Sequence, residues 1–140
     1  MELEDCPAGS MYRLDYAHKM SHLREHFKGG QALFTLPVMP VKCGGAPQKV
    51  MYLSEETWSR TGVRDQTEIH WFTQSPNMFP NCKKFADALY PLASSKGINI
   101  NFGHLIKSVD GHNRTATFEN VETGDFVTRD FDLIHIVPPQ

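Results

Sequence analysis

At 140 residues, with 40% hydrophobic and 21% charged side chains, the chain has the make-up of one ordinary globular domain or a piece of a larger one, which excludes a disordered, collagenous or repeat-built protein. Lys and Arg number 14 against 16 Asp and Glu, a formal net charge of -2 that leaves no basic footprint for nucleic acid or an anionic lipid surface. No stretch approaches the roughly 20 apolar residues that a bilayer requires, and the acidic opening Met1-Glu2-Leu3-Glu4-Asp5 is unlike the basic start of a transit peptide, so no organelle address is expected on these residues.

In chain order, Tyr12, Tyr16, Met20, Leu23 and Phe27 recur every three or four residues and predict a helix over 12–27, stopped by Gly29-Gly30. Residues 31–36 form a short apolar run ended by Pro37, too short for a helix and long enough for a buried strand. A loop with two prolines and two glycines follows over 37–45. Pro47 then suits the first turn of a second helix, over about 46–60, with Gly62 just past its end. Residues 67–73 read as a strand, and Ser75-Pro76-Asn77 breaks it. Asn81 is a fair N-cap for a third helix, with Phe85, Leu89 and Leu92 on its inward face and an end near Lys96-Gly97, and Pro91 is expected to kink it or end it early. Ile98, Ile100 and Phe102 alternate as a strand does.

Beyond that point the elements become short strands with tight turns, at 104–109 and 115–119, with turns at 110–113 and 122–125, which predicts a β-hairpin or meander. The apolar run 131–137 is a last strand, halted by Pro138-Pro139. A buried parallel strand normally has helices on both faces, and no helix follows this one. The strand is therefore expected to lack its covering layer, leaving the chain marginally folded or prone to associate, as if cut from something longer.

Cys6, Cys43 and Cys82 are an odd number at wide spacing, with no Cys-x-x-Cys, so they announce neither a zinc knuckle nor a disulfide framework. Cys43 stands out by its setting, Val41-Lys42-Cys43-Gly44-Gly45-Ala46-Pro47-Gln48-Lys49, between the end of a strand and the start of a helix. In an open α/β sheet that junction is where ligands bind. The partial positive charge of the helix N-terminus, with Lys42 and Lys49, favours a thiolate there. Gly44 and Gly45 leave the sulfur accessible. Two readings stay open on these residues alone: a candidate nucleophile, or a small apolar filler in a glycine turn.

The run VKCGGAPQK followed by VMYLSEETW, preceded by FKGGQALFTLP, closely resembles the central region of animal mitochondrial sulfide:quinone oxidoreductases, flavoproteins with two dinucleotide-binding domains. The resemblance extends more loosely through KKFADALYPLASSKGINI and NFGHLIKSVDGHNRTATFEN to DFDLIHIVPPQ. It implies an α/β fold, a partial Rossmann-like parallel sheet with flanking helices plus an antiparallel β-hairpin, truncated at both ends. Residues 1–28 would be a helical segment, 29–102 the Rossmann-like second dinucleotide-type domain, and 103–140 the hairpin and strand leading back to a missing FAD domain. The family oxidises hydrogen sulfide through a cysteine persulfide and FAD and passes electrons to ubiquinone, with glutathione or sulfite among its sulfur acceptors, at the mitochondrial inner membrane. The resemblance makes Cys43 one of two redox-active cysteines, the catalytic residue carried over.

Departures from the family pattern bound that inference. The flavin-binding Gly-x-Gly-x-x-Gly is absent. The second redox cysteine and the quinone- and membrane-contacting part lie in the family beyond the position of Gln140, and Cys6 and Cys82 match no motif. PVMPVKCGGAPQ occupies the place of a nicotinamide fingerprint without its glycine spacing, so no NAD(P) binding is expected. No cofactor-binding residue is singled out. A competing expectation is a non-catalytic homologue, a thiol or persulfide carrier or a binding module without flavin.

Of the remaining candidates, His18, His22 and His26 lie at spacings of four, and two of them could chelate a metal, yet a solvated helix face explains them without a ligand, no Cys or carboxylate completes a set, and no metal is expected. His70 reads as a packed or edge histidine, Trp71 and Phe72 as core. Asn113-Arg114-Thr115 is a chance sequon. Glu119, Asp130 and Asp132 show no paired-carboxylate spacing.

Overall fold

The computed structural model describes residues 5–138. The predictions resting on residues 1–4 and on Pro139 fall outside them. The elements run β1 (Ala8–Gly9), α1 (Leu14–His26), β2 (Gly30–Leu36), α2 (Ala46–Thr61), a 3-10 turn (Arg64–Gln66), β3 (Thr67–Thr73), α3 (Lys83–Ser95), β4 (Ile98–Phe102), β5 (His104–Asp110), β6 (Thr115–Asn120), β7 (Phe126–Asp130) and β8 (Leu133–His135). Five strands form one parallel sheet in the order β1-β8-β2-β3-β4, and β5-β6-β7 form an antiparallel meander. The α/β class, the parallel sheet and the antiparallel hairpin expected from the sequence are all present.

The topology follows from handedness. The steps β1 to β2, β2 to β3 and β3 to β4 all move the same way across the sheet. Right-handed crossovers therefore send α1, α2 and α3 to one face, and the return from β4 to β8 must cross on the other. On the helical face Met20, Phe27, Phe34, Met51, Trp58, Trp71 and Leu133 form one buried cluster. Trp58 is its pivot, 4.6 Å from the Phe27 ring and donating its indole N–H to the Arg24 carbonyl at 2.9 Å. On the opposite face Leu33, Phe72 and Ile134 pack against Ala116, Phe118 and Phe131 of the meander region, with the Phe72 and Phe118 rings stacked at 3.9 Å.

That second layer corrects the expectation of an uncovered last strand. β8 is inserted between β1 and β2 and is fully buried, Leu133 facing the helices and Ile134 facing the meander. Its cover comes from chain that precedes it, a possibility that a search for helices alone passes over.

Other expectations shift locally. α1 starts after Tyr12, which lies outside the helix. Cys82, not Asn81, is the N-cap of α3, without a side-chain cap. The helix also runs through Pro91 to Ser95, because Pro91 is on the exposed side, where the carbonyl of Asp87 left without an N–H partner meets water. The buried residues of α3 are Ala86 and Ala93, with Leu89 packed against the core as expected, while Phe85 and Leu92 are 57% and 43% exposed. α2 ends as predicted, with Gly62 at φ 76° in the left-handed cap. Its buried Glu55 is paired with Lys96 at 2.6 Å and Arg64 at 3.9 Å, tying α2 to the end of α3.

Gly30 is fixed by a close approach. Its φ is 106°, and a Cβ there would sit 2.0 Å from Asp132 Oδ2, the atom that accepts the Gln31 N–H at 2.8 Å.

Candidate functional site around Cys43

From β2 the chain turns toward β3 on one side, while β8 lies on its other side. The carboxyl ends of these parallel strands lie together at one end of the sheet, the end at which open α/β sheets bind ligands. Three stretches meet there: residues 10–13 after β1, 37–45 after β2 and 136–138 after β8. They are cross-linked by polar contacts. Thr35 donates its hydroxyl to the His135 carbonyl at 3.1 Å and accepts the Val137 N–H at 3.4 Å, and His135 Nε2 accepts the Met11 N–H at 3.2 Å. His135 is fully buried, and burial pushes its imidazole down to about 4, so the ring is neutral. The acceptor role of Nε2 puts the ring proton on Nδ1, which has no partner.

Cys43 lies in the 37–45 loop, three residues before α2. It is exposed, whereas Cys6 is buried and Cys82 is half-buried at the start of α3, and no disulfide joins any two of them. The Cys43 carbonyl accepts the Tyr12 hydroxyl and, at 3.3 Å, the Ala46 N–H, so the loop is anchored through its backbone and the thiol is left to solvent. The Tyr12 hydroxyl is pushed up to about 12, by burial first and by the charge of the neighbouring Cys43 second, against the lowering effect of its hydrogen bond. Lys42 and Lys49 are exposed, and neither has an acidic partner among the described residues. Neither α2 nor α3 has an acid in its first turn, so positive potential at this end is uncompensated there. Gly45, at φ -91°, is not needed for a left-handed turn. A Cβ on it would sit 3.7 Å from Phe79, an ordinary contact, so what the glycines supply is open space beside the sulfur.

The β2–α2 junction does not fit a dinucleotide pyrophosphate. A cradle needs a tight turn and free N–H groups in the first helical turn. Here nine residues separate strand and helix, the Ala46 N–H is taken by Cys43, and Pro47 has none to offer.

The structure separates the other candidates from this site. His22 and His26 stack at 4.1 Å on α1, with His26 Nδ1 on the His22 carbonyl, and no three His, Cys, Asp or Glu converge on a metal site among the described residues. His70 is packed as expected, its ring beside Phe72 and 3.6 Å from Glu68. Trp71 and Phe72 are core. Asn113 closes the 110–113 turn on Asp110. Sequence reasoning missed Tyr12, Thr35 and His135. In the sequence Tyr12 is one more apolar residue of the first helical pattern, and no local pattern joins it to a residue 31 positions away. No helix among the described residues is long and apolar enough to cross a membrane.

No family model matches the chain. It is 35% identical over 131 residues to the mitochondrial sulfide:quinone oxidoreductase of Dictyostelium discoideum, covering 93% of this chain and 28% of that protein. With the mouse enzyme of the same name it shares 36% identity over 132 residues, 94% and 29% of the two chains. Its fold matches the sulfide:quinone oxidoreductase from Aquifex aeolicus with a TM-score of 0.76 at 13% identity, over 91% of this chain and 30% of that one. A chain in the Tetrahymena thermophila mitochondrial ATP synthase assembly gives a TM-score of 0.81 at 18% identity, over 96% and 34%. The last two show the shared fold alone. Across more than nine-tenths of its length the chain is thus similar in sequence to mitochondrial sulfide:quinone oxidoreductases, and it spans a little over a quarter of the length of those relatives.

Proposed function

We propose that Cys43 is a sulfur-handling cysteine of a mitochondrial sulfide oxidoreductase, the whole reaction being oxidation of hydrogen sulfide with electrons passed by way of FAD to ubiquinone at the inner membrane, and the sulfur released to glutathione or sulfite. The observation that carries the reading is the exposed Cys43 thiol at the carboxyl end of β2, in a chain whose relatives bear that enzyme's name. The step open to Cys43 is exchange. Hydrosulfide attacks the sulfur of Cys43 in a disulfide with a second thiol, the S–S bond breaks, the other sulfur leaves as a thiolate, and Cys43 holds a persulfide. An acceptor thiolate then attacks the outer sulfur, departs with it, and Cys43 returns to thiolate. Sulfide has lost two electrons and the disulfide has gained them. Tyr12 and Ala46 hold the loop by its backbone, leaving the sulfur free for in-line attack. Because the residues here form no pyrophosphate cradle, reoxidation of the thiols is assigned to none of them.

The test starts from the chain carrying a mixed disulfide with glutathione. Added sulfide should leave one extra sulfur on the Cys43 peptide by mass spectrometry, and Cys43→Ser should carry none. Extra sulfur on Cys82 instead would overturn the assignment.

A second reading, a persulfide carrier without flavin, rests on the same exposed thiol, which sulfur exchange requires and flavin does not. The two part on the visible spectrum after incubation with FAD and removal of the excess. Retained flavin that bleaches with sulfide supports the oxidoreductase, whereas a colourless protein means that these residues supply a domain and one reactive cysteine and that the flavin chemistry belongs to a longer protein.

A further inference from the structure

His135 is an odd occupant of its strand. The run Leu133-Ile134-His135-Ile136-Val137 is otherwise apolar, and the imidazole is fully buried, with the Phe34 ring 6.3 Å away and Gly9 of β1 as its register partner. Stability does not call for it. A buried imidazole gives up water at both nitrogens, yet only Nε2 regains a partner, the Met11 N–H at 3.2 Å, and Nδ1 regains none among the described residues. An aliphatic side chain of similar size would fill the space without leaving a polar atom unpaired. What the ring supplies is a fixed place for Met11, in the connection between β1 and α1. One end of that connection is set at Gly9, whose carbonyl accepts the Ile136 N–H at 2.8 Å and where a Cβ would meet Met20 at 2.9 Å. The other end is the first turn of α1, where the Arg13 carbonyl accepts the Ala17 N–H at 2.8 Å. Between them the Met11 N–H goes to His135 and the Tyr12 N–H to Ser10 Oγ at 3.2 Å, and the Tyr12 hydroxyl is delivered to the Cys43 carbonyl.

We infer that His135 is a positioning residue for Cys43, its Nε2 fixing Met11 so that the Tyr12 hydroxyl meets the Cys43 carbonyl and holds the loop that bears the thiol. The linkage closes on the strand from which it starts. Thr35 of β2 bonds the His135 carbonyl and the Val137 N–H and so fixes the backbone of His135, His135 fixes Met11, and Tyr12 fixes the loop that leaves β2 just beyond Thr35. Each member is placed by its neighbour, and the residues joined come from β1, β2 and β8 in turn. The purpose of the linkage rests on the reading of Cys43 as the reacting cysteine, and its geometry does not. Sulfur exchange needs the thiol presented along one line of attack, which a loop of nine residues does not secure by itself.

The test is alkylation of the full chain by iodoacetamide, with the Cys43, Cys82 and Cys6 peptides followed separately by mass spectrometry. His135→Leu keeps the bulk and removes the acceptor. A freed loop offers its sulfur to a small reagent from more directions, so Cys43 should react roughly fivefold faster, the worth of one neutral hydrogen bond. Half-buried Cys82 and buried Cys6 should keep their parent rates. His135→Gln, whose side-chain oxygen reaches the place of Nε2, should restore the parent rate at Cys43. Adding His135→Leu to Tyr12→Phe should change nothing further, because both cut one linkage. In amide hydrogen exchange, Met11 should lose protection in His135→Leu and keep it in His135→Gln. An unchanged Cys43 rate in His135→Leu, a rate in His135→Gln equal to that in His135→Leu, or effects that multiply in the double variant overturns the positioning role. A joint rise at Cys6 and Cys82 overturns it too, since that marks loosening of the whole fold. The reagent needs no sulfide, so failure here leaves sulfur exchange at Cys43 standing, and extra sulfur on Cys82 in the sulfide test leaves this linkage standing.

Discussion

The two faces of the parallel sheet are covered by different means. On one, three helices deliver large side chains over the strands, with Trp58 and Met20 spanning between elements. On the other, a three-stranded meander lays Ala116 and Phe118 against Leu33, Phe72 and Ile134. The helical face is built step by step as the chain advances from β1 to β4, and the meander face is built by the return journey to β8. A sheet therefore needs something apolar on each side without needing the same thing, and the direction of each crossover decides which side a segment serves.

The strongest way to break the comparison is truncation on each face. Trp58→Ala should cost about 3 to 5 kcal/mol, since it empties a fully buried site and leaves the Arg24 carbonyl without its donor. Phe118→Ala should fall in the same range of about 3 to 5 kcal/mol if the meander is a true core layer. Urea denaturation monitored by far-ultraviolet circular dichroism measures both. A loss at Phe118 below about 1 kcal/mol would reduce the meander to an ornament on a one-sided fold.

Acid sharpens the contrast. His135, with its ring near Phe34 on the helical face, is held down to about 4 by burial, against roughly 6.5 when unfolded. Between those values the unfolded chain takes up a proton that the folded chain refuses. Stability is therefore unaffected above about pH 6.5, falls as pH drops through the window, and loses no more from this group below about pH 4. The loss is on the order of 3 kcal/mol. His70, facing the meander layer, is also lowered by burial, opposed by Glu68, and adds in the same direction. The expected result is that His135→Leu flattens most of the acid dependence and His70→Leu little of it. Parallel curves for His135→Leu and the parent would show that the imidazole is not protected as described.

The gentlest test concerns the end of the sheet that bears Cys43. Tyr12→Phe removes the hydroxyl that holds the Cys43 carbonyl, which should cost about 1 kcal/mol. Cys43 should then be alkylated faster while Cys82 keeps its rate. Unchanged labelling would mean that the loop is held by Ala46 alone.

How much of this was legible in the sequence depends on the range of the interactions. β3 could be read residue for residue, because alternation and breakers are local, and Gly62 marked the end of α2 because only a left-handed cap fits there. Cys43 was legible because strand, glycines and proline stand side by side around it. The inward face of α3 is legible only in part: Leu89 packs against the core as the apolar stripe predicts, but Phe85 and Leu92 are exposed and the sheet instead admits the small Ala86 and Ala93 at close approach. Tyr12, Thr35 and His135 were invisible for a different reason. Their partners lie 31, 100 and 124 positions away, and only the insertion of β8 between β1 and β2 brings them together.

That insertion also sets a schedule. Ala8–Gly9 is made before the other described strands, and among the described residues its only sheet neighbour is β8, which is made more than 120 residues later. At about 5 to 20 residues per second, β1 waits several seconds without a partner, and α1 has only part of its seat until Leu133 arrives. Any interruption of synthesis before that point leaves a nascent chain in which β1 still lacks β8, a natural substrate for a holding chaperone.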